Sequence, residues 1–171
     1  MEIVEICNKR NSVKLEDLGK VTLLDWLIDE EKRGSINYHK TIIKLLAFFQ
    51  EFYKVTKDKF GKQYIMGDIN LHNFILKDDM IYGMNFESCK EGCIETDIGK
   101  FVAYLITYEP IATDWKFKFA NDFIHIFMLN FSLHTVSLIK EIEIELNKIA
   151  KRRNTEFQTY DILCRIAEEI I

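Results

Sequence analysis

The stretch from Gln63 to Phe86 breaks the rhythm of the chain around it and sets what the rest must fold against. "QYIMGD", "FIL" and "MIYGMNF" are short apolar runs rich in β-branched and aromatic residues. They are too short for helices and suit strands. "KDD" at 77–79 supplies a turn between the second and third runs. The spacing therefore predicts an antiparallel hairpin with a strand-like entry before it. Within "YIMGDINLHNFIL", Asp68, Asn70, His72 and Asn73 fall close together between apolar flanks. A turn needs only one or two such residues, so this many in one loop points to a site.

On both sides the period becomes helical. "EIVEIC" near the start alternates enough for a strand, with Ile3 and Val4 as its apolar candidates, and Lys9 to Lys20 reads as a loop or hairpin return. "VTLLDWLIDEEKRG" predicts a short helix capped by Thr22 and closed by Gly34. From about Asn37 to Lys57, Ile42, Leu45, Leu46, Phe49 and Phe52 recur at helical steps, and Gly61 is the expected stop. After Cys93, "IETDIGKFVAYLITY" puts Ile98, Phe101, Val102 and Leu105 on one face, with Pro110 ending that helix. A helix capped at Thr113 or Asp114 follows, then one stepping through Val136, Ile139, Leu146 and Ile149, then "EFQTYDILCRIAEEII". Two helices, a small hairpin and four helices make an α+β, mainly α-helical chain. Its 171 residues suit a single domain over 1–171, with 1–20 a short N-terminal strand and loop.

Charge and cysteine usage exclude several classes. A net charge of −4 with no long basic run disfavours nucleic acid as the main partner. The one compact basic cluster, "KIAKRRN" at 148–154, sits where cations favour a helix C-terminus. Cys7, Cys89, Cys93 and Cys164 lack zinc-ligand spacing. The N-terminus carries acids rather than a signal-peptide core, and no run approaches a membrane span. The expectation is a reduced, cytoplasmic protein with no membrane partner.

A hairpin returns the end of its second strand beside the start of its first, so Asn73 should face Asn85–Glu87. An Asp, an Asn and a second acidic segment converging in this way is what phosphoryl transfer asks for. One carboxylate orients the attacking hydroxyl, and further oxygens hold magnesium.

At these residues the chain resembles the kinase-like phosphotransferases, in particular the aminoglycoside phosphotransferase and choline/ethanolamine kinase branch. The family's "H-G-D-x-x-x-x-N" loop reads "MGDINLHN" here, its "D-F-E" reads "NFE", and its "D-[IL]-[GA]" is similar to Asp97-Ile98-Gly99. The resemblance covers roughly 20–155 and implies a protein-kinase-like C-terminal lobe. The hairpin would carry the catalytic-loop and metal-loop equivalents. It implies Asp68 as catalytic base, with Asn73 beside it as a magnesium ligand, and Asn85 at the principal metal position. Asn73, Asn85 and Glu87 would make the ATP–Mg²⁺ contacts, and Asp97 would support the loop.

Three departures accompany it. Met66 replaces the family's histidine, Asn85 replaces its metal-binding aspartate, and no glycine-rich loop precedes the first helix. The chain is then expected to be a fragment of a longer protein or a short relative without the ATP roof. The implied function is ATP- and Mg²⁺-dependent phosphorylation of a small-molecule hydroxyl. The alternative is a catalytically inactive, kinase-derived binding or regulatory module. Apolar surface left by a missing lobe would be covered by homodimerisation.

Overall fold

The structure, a computed structural model, describes residues 3–7, 12–15 and 17–170, with side chains described over 17–168. Lys9 and the Cys7 side chain therefore lie outside the described residues, as do the side chains of Ile3 and Val4. An antiparallel hairpin, β1 (Ile3–Cys7) and β2 (Ser12–Leu15), comes first. Helices α1 (Leu23–Lys32) and α2 (His39–Phe60) follow. Next come β3 (Tyr64–Ile65), β4 (Phe74–Lys77), β5 (Met80–Gly83) and β6 (Lys90–Glu91). Four helices close the chain: α3 (Ile94–Thr107), α4 (Asp114–Phe131), α5 (Thr135–Arg153) and α6 (Thr159–Ile170). The architecture is α+β and mostly helical, as expected.

Local chemistry explains most boundaries. The Thr22 hydroxyl accepts the Asp25 N–H while the Asp25 carboxylate accepts the Thr22 N–H, a reciprocal cap that starts α1. Gly61, at φ +70, ends α2 by returning its N–H to the Lys57 carbonyl. That helix starts two residues later and runs three residues further than its periodicity predicts, because Lys57 and Lys59 continue it on the exposed side. Asp78 and Asp79, both at positive φ, make the tight turn of the β4–β5 hairpin, whose register pairs Phe74 with Gly83 and Lys77 with Met80.

The hairpin lies against α2, and Thr22 bridges to Ile75 at its outer edge. Helix α3 packs against α4 and α5 and carries nine buried residues. Gly99 is where α3 meets α5: a Cβ there would lie 2.7 Å from the Glu141 Cβ and 3.0 Å from the Ile142 nitrogen. The glycine of "DIG" is thus required by a close helix crossing. Phenylalanine fills the core, with Phe101, Phe123 and Phe127 stacked at centroid separations of 4.3 and 4.0 Å. Among the described residues no helix is long and apolar enough to cross a membrane.

One buried cation was not foreseen. Lys116 of α4 is fully buried and donates to the Tyr108 and Pro110 carbonyls. Its ammonium lies 3.6 Å from the Glu31 carboxylate and 3.4 Å from the centre of the Tyr108 ring. It ties the α3–α4 connection to α1. Burial pulls its pKa down to about 8, although Glu31 opposes the shift.

Candidate functional site

The polar loop owes its shape to alternation. Ile69 and Leu71 are buried in the core, which turns Asp68, Asn70 and His72 outward between them. The Asn70 side chain accepts the His72 N–H at 3.0 Å and starts a single 3-10 turn, Leu71–Asn73, that delivers the chain into β4. Asn70 is thus a turn former, and His72 is exposed.

The entry to the loop is held from two sides. β3 pairs with β6, a strand the sequence did not announce, and this brings Gly67 against Ser88. Gly67 has φ +78, and a Cβ there would lie 2.4 Å from the Ser88 carbonyl oxygen, so only glycine fits. Asp97, in the first turn of α3, is fully buried. It accepts the Met66 N–H at 2.8 Å, the Gly67 N–H at 3.0 Å and the Tyr53 hydroxyl at 3.1 Å. One turn along α3, Lys100 donates to the Gly67 carbonyl. Both faces of the loop entry are therefore anchored to one helix. Burial raises the Asp97 carboxyl above its ordinary value, partly offset by the hydrogen bonds from Met66, Gly67 and Tyr53.

Three predicted residues meet in a chain of hydrogen bonds. Asn73, buried, donates from Nδ2 to the Asp68 Oδ2 at 3.1 Å. Asn85 donates from its own Nδ2 to the Asn73 Oδ1 at 2.8 Å. The direction is forced. An ionised carboxylate can only accept, so Asn73 must present its amide hydrogens to Asp68 and its oxygen to Asn85. Asn85 must then present hydrogens in return. The Met84 N–H also bonds the Asn73 carbonyl at 2.8 Å, which carries the hairpin register into the site. Asn85 sits in the left-handed region at φ 57, a conformation asparagine tolerates better than most residues.

Glu87 is not brought in. It lies exposed in the 3-10 turn Phe86–Ser88, without a side-chain partner among the described residues. Lys100 and Tyr53 were missed as supports. Their helical spacing reads as ordinary packing, and nothing in the sequence reports where a long side chain ends.

The donor set can be tested against magnesium, which prefers a near-octahedral shell of oxygens. Asp68 is the one carboxylate of the three converging side chains, and the Asn73 oxygen is already occupied by an amide hydrogen. Among the described residues no group of three or more His, Cys, Asp or Glu side chains converges as a metal site. As arranged, Asp68, Asn73 and Asn85 do not fit a magnesium ion. The Asn85 amide takes up the oxygen that a cation would use. No family model, no curated protein and no solved structure matches the chain.

Proposed function

We propose that the chain is a kinase-like lobe that binds a phosphate-bearing ligand, of nucleotide type, at the Asp68 loop without depending on magnesium. The observation that carries this reading is the Asn85–Asn73 hydrogen bond at 2.8 Å. In a magnesium-dependent site, two acceptor oxygens at these positions would share the cation. Here a donor meets an acceptor, and the pair is complete without a metal. The module is then a kinase-derived binding or regulatory unit.

A second reading is phosphoryl transfer to a small-molecule hydroxyl with Asp68 as base. It is favoured by the half-buried Asp68 carboxylate, whose loop entry is anchored by Asp97 and Lys100.

Thermal unfolding with ATP, with and without Mg²⁺, separates the two. A ligand at ~100 times its dissociation constant adds about 2.7 kcal/mol of stability. The binding-module reading predicts a shift of similar size with and without the metal, lost in Asn73→Ala. A shift that needs Mg²⁺, accompanied by product from an amino-alcohol or sugar, would establish the second reading instead. No shift under either condition would overturn both.

A further inference from the structure

A phosphate site that does without a metal must find positive charge elsewhere, and α3 and α5 present it. Asp97, Lys100 and Tyr104 are spaced to lie along one face of α3. The first two hold the backbone on the N-terminal side of Asp68. Tyr104 is about 6 Å further along the helix than Lys100. There Arg152, in the last turn of α5, donates from Nη2 to the Tyr104 hydroxyl at 3.1 Å and to Glu145 at 3.0 Å. Its neighbour Arg153 bonds the Thr107 carbonyl at 2.5 Å, which fastens the end of α5 to the end of α3. The position of Arg152 is therefore set by the fold.

Arg152 is only partly used by these contacts. Both bonds leave from one nitrogen, and among the described residues its Nη1 and Nε groups donate to nothing. Its side chain is 56% exposed. Glu145, itself buried, is shared with Lys148 at 3.5 Å, so two cations face one carboxylate. The Tyr104 hydroxyl most strongly, then the Glu145 and Asp68 charges, hold the guanidinium above its ordinary range against the opposing effect of burial. Lys100 reaches the Gly67 carbonyl, next to Asp68, so the Tyr104–Arg152 pair stands about one helical turn from the loop entry.

We infer that Arg152, assisted by Lys100, is the cationic arm that grips the phosphate groups of a ligand bound beside Asp68. This rests on the phosphate-ligand reading above and adds the residues that replace the metal's charge. The free edge of a guanidinium presents parallel N–H groups that match two phosphate oxygens. The basic cluster at 148–154 thereby serves more than the helix end.

The test uses the full chain with two probes, inorganic tripolyphosphate and ADP, in metal-free buffer at low salt. Binding is read by calorimetry for the wild type, Arg152→Ala, Arg152→Lys and Arg152→Ala/Glu145→Gln. The double variant removes both partners of the ion pair, so a buried unpaired acid cannot mimic a binding defect. The expected result is a loss of about tenfold or more for both probes in the Arg152→Ala backgrounds. Arg152→Lys should fall between, keeping charge and losing the fork. Equal binding by wild type and Arg152→Ala/Glu145→Gln would overturn the inference while leaving the phosphate-ligand reading intact. Tripolyphosphate binding that needs Arg152, with no ADP binding, would support the inference and remove the nucleotide from the reading. Wild type that binds neither probe would overturn both.

Discussion

Removing the Asp97 carboxylate tests how the site is held. The side chain is fully buried and accepts from two backbone N–H groups and the Tyr53 hydroxyl, all within 3.1 Å. Asp97→Ala strands three donors, two of them buried and one half-buried, and a stranded buried donor costs about 1–3 kcal/mol. Part of that is recovered if the loop swings out to water, so a net loss of about 4 kcal/mol is expected, from a stability of about 5–15 kcal/mol typical of single domains. Asp97→Asn keeps the shape and one acceptor but turns an N–H toward donors, and should lose about 2 kcal/mol. Urea unfolding measures both. Hydrogen exchange at the Met66 and Gly67 amides locates the effect, because those two should lose protection before the core of α3 does. A loss under 1 kcal/mol for Asp97→Ala, or unchanged protection at both amides, would refute the reasoning. The pH dependence adds a sign. Because burial raises the folded-state carboxyl above 3.8, the folded protein holds that proton more tightly than the unfolded chain. The stability advantage of wild type over Asp97→Asn should therefore shrink as pH rises from 3.8, and level off above the folded-state value.

Two other perturbations test the loop entry and the buried ammonium. Gly67→Ala must move Ser88 or the loop, since its Cβ would lie 2.4 Å from a carbonyl oxygen at a positive φ. A loss of about 2–4 kcal/mol in urea unfolding, together with weakened binding of the proposed phosphate ligand, is expected. For Lys116, the folded pKa of about 8 lies below the ordinary 10.5, so the unfolded chain binds the proton more tightly between those values. Stability should rise with pH across that window by up to about 3 kcal/mol relative to Lys116→Met. A flat difference between pH 8 and 10.5 would show that the ammonium is not desolvated.

The sequence was most informative where periodicity, caps and turns act locally. Thr22, Gly61 and the "KDD" turn behave as their chemistry dictates. The facing of Asn73 and Asn85 was readable because a hairpin register leaves little choice. What stayed hidden depends on partners far along the chain. β6 is two exposed, charged residues with no apolar pattern to mark it. Lys116 falls at a helical position where lysine normally reaches water, and its burial follows from how the α3–α4 connection folds back over it. Lys100 looks like a solvated helix residue until its ammonium is seen on the Gly67 carbonyl, and Arg152 does so until the packing of α3 against α5 sets it on Tyr104. The direction of the two site amides was equally invisible, since it is imposed by the Asp68 carboxylate at one end of the chain of bonds.

That direction is the centre of the account, and Asn85→Asp tests it. The substitution replaces a donor at 2.8 Å from the Asn73 oxygen with an acceptor. Without metal the variant should be about 1–3 kcal/mol less stable than wild type. Titrating Mg²⁺ while following thermal unfolding should then restore the variant and leave the wild type unmoved. A wild-type protein stabilised by Mg²⁺ as strongly as Asn85→Asp would contradict the claim that the Asn85 amide stands where a cation would.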